Sequence, residues 1–287
     1  MAEISDLSDL VNRATGGNNG TPETIFFHKT GRYGGTAFPT LSAGRANSLW
    51  RADGSPAGAP APTTAIIPTN ATDGALKQTD PGGSRQKWIY QFGISTATAG
   101  TFILYDRLFQ IGGLSGTVTT AQTVQGSPAS PALTRYSTNA TCVGNMILVE
   151  INTALGGSST TLTAKYTNQA GTGAQVSGSI TFGGSAATNH VTRCFLVPLA
   201  SGDTGVQAVE SVTLAASTGT AGDFSVAIIR PLGFVAVPVA ACATFRDFAT
   251  GLPGIPEVLT DAALALLYIP TFTSFGETFG AVSMVEA

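Results

Sequence analysis

The side chains best suited to metal or nucleophile chemistry are few and badly spaced for it. His28 stands in an aromatic run and His190 in a polar loop, neither with a second ligand at a characteristic interval. Cys142, Cys194 and Cys242 lie about fifty residues apart, which suits neither a zinc site nor a paired disulfide framework, so all three read as small buried hydrophobes. A phosphate-binding loop needs a Gly-Lys pair and there is none. Gly171-Thr172-Gly173 runs on into Ala174-Gln175-Val176, which breaks the dinucleotide fingerprint and leaves those glycines as turn residues. No serine has the Gly-x-Ser-x-Gly setting of a nucleophile elbow. Seventeen acids could pair in space for glycoside hydrolysis, but no spacing nominates two of them. The chain therefore reads as a non-enzyme, with no catalytic residue, no metal and no cofactor. Asp106-Arg107 and Arg246-Asp247 are adjacent opposite charges inside apolar runs, readable either as strand-end charges or as ion pairs between subunits.

Composition points the same way. Charged residues make up 11% of the 287, against about 25% in an ordinary soluble domain, while 35 glycines and 15 prolines punctuate the chain. A monomer of this mass exposes on the order of 11,000 Å², so each charge serves roughly 370 Å². The rest must be neutral polar surface or be covered by partner subunits. Four lysines and ten arginines, scattered through a chain of net charge −3, exclude a nucleic-acid partner bound through a dense basic field. The most apolar stretch, residues 224–245, is interrupted by Arg230, Pro231, Gly233 and Pro238, so no membrane span is expected.

The elements that would carry any function are mostly strands. Residues 3–14 place Ile4, Leu7, Leu10 and Val11 on one helical face, with acids early, Arg13 late and Gly16-Gly17 as a stop. A helix this short needs a surface to dock on. Residues 52–86 hold Pro56, Pro60, Pro62, Pro68 and Pro81 among Ala, Gly and Thr, which predicts an extended arm running over a surface or between subunits. From Trp88 the period is two: strands are expected at 88–92, 102–109, 146–152, 160–167, 175–182, 193–197, 209–214, 224–230 and around 264–269. In residues 146–152, Ile147, Val149 and Ile151 share one face and Glu150 takes the other. The best hairpin joins 160–167 to 175–182, with Leu162, Ala164, Tyr166, Val176, Ile180 and Phe182 inward. The fold class is thus mainly β, an antiparallel sandwich or jelly roll with a short N-terminal helix and a long Pro/Gly-rich arm. Its expected organisation is 1–51 as helix and docking segment, 52–86 as arm, and 87–287 as β-sandwich, possibly in two β subdomains.

Only Arg135, Glu150, Lys165 and Arg193 are charged between Leu108 and Gly202. Charge is what keeps strand edges and faces apart, so this neutral expanse predicts a homo-oligomer, with a trimer as the working stoichiometry. Trp50-Arg51 ahead of the arm could anchor it in a neighbour's pocket, or Trp50 could be local core. The expected interface residues are Ile4, Leu7, Leu10, Trp50, Arg51, Pro60, Pro62, Ile66 and Ile67.

Several segments, in order, resemble tailed-bacteriophage virion structural proteins: Ser48 to Pro56 (SLWRADGSP), Leu104 to Leu108 (LYDRL), Leu133 to Tyr136 (LTRY), Tyr166 to Gly171 (YTNQAG), Leu196 to Thr213 (LVPLASGDTGVQAVESVT) and Ile228 to Leu232 (IIRPL). These are packing and turn signatures spanning most of the chain. The resemblance implies a β-rich, non-enzymatic component of the virion, a head decoration or cement protein that contacts the major capsid protein or other virion proteins, or else a tail, neck or fibre part. It leaves Leu264 to Phe279 unplaced. A sugar-binding or sugar-cleaving β-domain is the alternative from another class, to be told by exposed aromatics beside a carboxylate pair.

Overall fold

The computed structural model describes residues 4–185, 189–250 and 254–287. One helix, α1 (Leu7–Ala14), precedes β1 (Thr21–Lys29). The two-residue strands β2 (Arg32–Tyr33), β3 (Thr36–Ala37), β4 (Asn47–Ser48) and β5 (Gly54–Ser55) lead into the arm. Beyond it come β6 (Lys87–Thr96), β7 (Gly100–Leu114), β8 (Gln122–Thr123), β9 (Met146–Thr153), β10 (Ser159–Asn168), β11 (Gln175–Val176), β12 (Ile180–Gly183) and β13 (Cys194–Val197). The chain ends with β14 (Val206–Leu214), β15 (Asp223–Val237), β16 (Ala243–Asp247), β17 (Glu257–Val258), β18 (Leu264–Pro270) and β19 (Thr278–Glu286).

Every pairing is antiparallel. A first sheet runs β16-β6-β19-β1-β5, a central sheet β13-β9-β15-β7-β18-β4, and a third sheet β11-β10-β14-β8 with β12 also on β10. At 15 residues each, β7 and β15 are about 50 Å long. That length lets one face of the central sheet carry two cores end to end. Phe102, Leu104, Val235 and Val237 pack under the first sheet against Ile89, Phe92, Val282 and Met284. Further along, Phe109, Ile147, Val149 and Ile228 pack under the third sheet against Leu162, Tyr166, Val209 and Val212. Bulges near Leu108 and Leu232 keep both halves facing the same way.

The opposite face of the central sheet is covered over most of its length by Trp50 and the arm, with Tyr105, Leu148, Ala227, Ile229 and Ala265 beneath. The arm lies on the chain's own sheet. Buried cations hold it there through its carbonyls: Lys29 donates to Pro56 O at 2.7 Å and Ala52 O at 3.3 Å, Arg135 to Pro68 O at 3.0 Å, and Lys87 to Thr79 O at 2.6 Å. Ile66 adds a two-way backbone bridge to Gln110 of β7.

The Asp106-Arg107 dipeptide is the centre of this arrangement. It stands in mid-strand, and both ion pairs are buried within the chain rather than at a strand end or between subunits. Alternation sends Asp106 toward the junction of the two cores, where it takes Arg135 Nε at 2.8 Å, Arg135 Nη2 at 3.0 Å and Ala263 N at 2.8 Å. Burial pushes the Asp106 carboxyl up, against the pull of Arg135. Arg107 points to the other face, bonded through both Nη atoms to Glu150 Oε2 at 3.1 Å and lying 4.8 Å from the Trp50 ring centroid. Glu150 does take the face opposite Ile147, Val149 and Ile151, but that face is arm-covered interior.

Three local expectations are corrected. The inward phase of the hairpin holds on β10 and again at Ile180 and Phe182 of β12, but slips at β11: Val176 is exposed and Ser177 buried, its Oγ accepting from Ala164 N at 2.8 Å. The ladder breaks there because Gly178 N turns to Pro198 O, and a one-residue slip exchanges the faces. Cys142 and Cys194 are buried, whereas Cys242 is exposed in the turn after β15. The helix starts at Leu7, capped by Asp6, whose carboxylate accepts from Asp9 N; residue 3, its expected start, lies outside the described residues.

Removing one member of a buried pair leaves its partner charged and unsolvated. Asp106→Asn should cost about 3–5 kcal/mol in urea unfolding, while replacing Arg107 and Glu150 together by Met and Leu should change stability far less. Lys29 supplies a pH test. Burial pulls its ammonium from the ordinary 10.5 down to about 8, with Asp53 opposing. A folded-state value below the unfolded one means folding releases a proton between pH 8 and 10.5, so stability rises with pH across that window, by on the order of 3 kcal/mol. The difference in stability between wild type and Lys29→Met should show that rise.

Candidate assembly interface

The alternation of β1, β6, β16 and β19 sorts their side chains into a core face and an outer face, and register aligns the outer ones in rows across four strands. One row is Thr24, Ser283, Gln91 and Asp247; the next is Phe26, Ala281, Gly93 and Phe245; the third is His28, Phe279, Ser95 and Ala243. The middle row is wholly apolar and aromatic only at its ends. Phe26 is 78% exposed, Phe245 62% and Phe279 53%. Their rings surround a depression of about 290 Å³ floored by Gly93, Gly280 and Ala281. Gly93 is what lets Phe245 lie flat on the sheet, since a Cβ there would stand 2.5 Å from its ring.

The other end of this outer face is covered by the chain itself. α1 packs on β1 and β19, and Val285, which alternates outward from the core residue Met284, is fully buried there. Leu10 and Arg13 are the helix residues buried, while Leu7 and Val11 stay about half exposed.

A second apolar surface lies on the opposite side of the same two-sheet sandwich. Where the arm ends, the back of the central sheet is open, and the row Phe234, Ile103 and Leu267, joined by Ile229, Met146 and Leu196, lines an apolar depression of about 330 Å³. Phe234 is 57% exposed, with the Arg246 guanidinium 6.0 Å from its ring centroid.

Charge is nearly missing from these surfaces because so much of it is inside. Ten charged side chains are buried among the described residues, Asp106, Arg107, Arg135 and Glu150 included. Of the four charges between Leu108 and Gly202, Lys165 alone is exposed. The accessible surface is 11244 Å², so its remaining charges stand roughly one per 500 Å².

The residues expected at an interface divide. Trp50, Leu10 and Pro62 are buried inside the chain, Trp50 as the local core that its sequence setting also allowed. Arg51 is half-buried and donates to Asn152 O at 2.9 Å, Ile67 packs on the third-sheet core, and Ile66 is half-buried beside Gln110. Ile4 is half-buried, and Leu7 and Pro60 are exposed. The rows on the first sheet need the pairing of four strands that lie far apart in sequence, and the alternation of Thr24, Phe26 and His28 in β1 marks only one strand's share of them.

His28 and the carboxylates nearest the aromatic depression are each engaged by neighbours. His28 stacks on Phe279 at 4.3 Å and bonds Glu277, while Asp247 is tied to Thr250 Oγ1 and Ala249 N. Asp247 and Glu277 thus stand at opposite corners of the patch, each engaged. His190 is buried, its Nδ1 against Val191 O at 2.9 Å, and burial lowers its pKa.

No family model and no curated protein matches the chain. Among solved structures it is similar to the infectious bursal disease virus VP2 subviral particle, at 10% identity over 93% of this chain and 80% of that one, with a TM-score of 0.18. The Gx strain of the same virus gives 9% identity over 93% and 81%, with a TM-score of 0.19. Likeness at this level bears on neither fold nor function here.

Exposed rings that support no core should be dispensable for folding. Phe26→Ser and Phe234→Ser should each leave stability within about 0.5 kcal/mol of wild type in urea titration and lower the binding of an apolar dye such as ANS.

Proposed function

We propose that this protein is a non-enzymatic structural component of a tailed-bacteriophage virion, in its most specific form a head decoration or cement protein that acts as a homo-oligomer. The observation that carries the reading is the pair of open apolar faces on opposite sides of one sandwich. A protein that bridges neighbours needs two such faces, and a soluble monomer rarely leaves even one uncovered. The scarcity of surface charge supports the same reading, since it leaves apolar burial and hydrogen bonding as the forces of association. The segmental resemblance to virion proteins supplies the setting.

Electron microscopy of the intact particle tests it. Density for this chain over the outside of the head, in contact with more than one capsid subunit, is the expected result. Density confined to the tail or neck would transfer the bridging role there, and absence from purified particles would overturn the proposal.

A further inference from the structure

We infer that the open half of the first sheet's outer face pairs with the same face of a second copy of this chain, about a two-fold axis. The inference rests on the structural role proposed above and names the surface and the partner.

Three features of that face argue for a second copy. The first is shape. Across β1, β19, β6 and β16 the middle row reads Phe26, Ala281, Gly93, Phe245, and because the Phe245 ring is folded over Gly93 the low point of the row is Ala281, between that ring and Phe26. Turned over about an axis between β1 and β19, such a row is complementary to itself: the projecting Phe26 ring of each copy seats over the other's Ala281. An isologous contact requires this kind of reciprocity.

The second is area. The exposed fractions of Phe26, Phe245 and Phe279 amount to roughly 400 Å² of aromatic surface. The half-exposed Leu7 and Val11 lie on the helix that covers the adjoining end of the same face, and they bring the apolar total near the roughly 500 Å² that one side of a standard interface supplies.

The third is chemistry. The row of Thr24, Ser283, Gln91 and Asp247 forms a polar edge on one side of the apolar centre, while on the other side His28 and Ser95 alternate with Phe279 and Ala243. No Lys or Arg lies in the three rows to attract phosphate or an anionic lipid. The glycine and alanine floor offers no side-chain hydrogen bond to orient a sugar.

Sedimentation velocity and light scattering on the full chain, in tens-of-micromolar solution, decide the matter. Wild type should be a dimer, or a larger assembly of even number. The Phe26→Ser, Phe245→Ser double variant should be a monomer with an unchanged circular dichroism spectrum, and Phe234→Ser on the opposite face should remain associated. Should the double variant lose its fold, Phe26→Ser alone should raise the dissociation constant at least tenfold. A monomeric wild type, a trimer, or a double variant that stays dimeric would overturn the inference. So would a monomeric wild type that binds phosphatidylcholine vesicles, which would make lipid the occupant. Particle binding is scored separately. A monomeric wild type that still decorates the head would sink only the pairing, while a dimer absent from particles would sink the virion role and leave the pairing standing.

Discussion

A proline-rich segment can cover a sheet only if its carbonyls find donors, because each proline removes a backbone N–H and breaks the ladder that would otherwise satisfy them. In this protein the donors are cationic side chains from β1, β6 and the loop between β8 and β9. Lys29 holds the start of the arm, Arg135 its middle at Pro68, and Lys87 its end at Thr79. Arg135 also bonds Asp106 in mid-β7 and the carbonyl of Arg107, so one guanidinium links the arm, the central sheet and the junction of the two cores. Each of these contacts is charge-assisted and lies where water is scarce, which makes it strong when formed and costly when broken. The back of the central sheet, with Trp50 on Arg107, depends on the arm staying in place.

The same use of cations shapes the outside. Among the described residues, at least ten of the 14 lysines and arginines donate to a main-chain carbonyl. Loops rich in glycine, proline and threonine are thereby tied down without regular structure, and fewer charges remain to keep the surface apart from other proteins. Neutral surface and ordered loops are two consequences of one allocation of charge.

Two layers on one long central sheet also account for where the open surfaces lie. The first and third sheets share a single face of β7 and β15. Their own outer faces and the uncovered end of the central sheet's back are therefore where strand residues that no core claims come to the surface. Phe26 and Phe245 stand on one of these, and Phe234 on the other.

Much of this was determined by the sequence alone. Period-two patterning from Trp88 onward specified antiparallel strands because side chains alternate whatever the partner strand is. The prolines of residues 52–86 excluded a central strand or helix there because no ladder tolerates them, and scarce charge limited how much of the exterior can be charged. What tertiary structure decided is everything that requires two distant segments to meet. Asp106 and Arg107 look alike as adjacent charges, yet only the packing of β7 between β15 and β18 sends each to its own buried partner. β1 and β19 lie at opposite ends of the chain and are neighbours only in the sheet, so the aromatic row they share with β6 and β16 has no local signature. Trp50 was ambiguous between anchor and core for the same reason: burial is a property of what folds over a side chain, and the arm that folds over this one is held by residues far away in sequence.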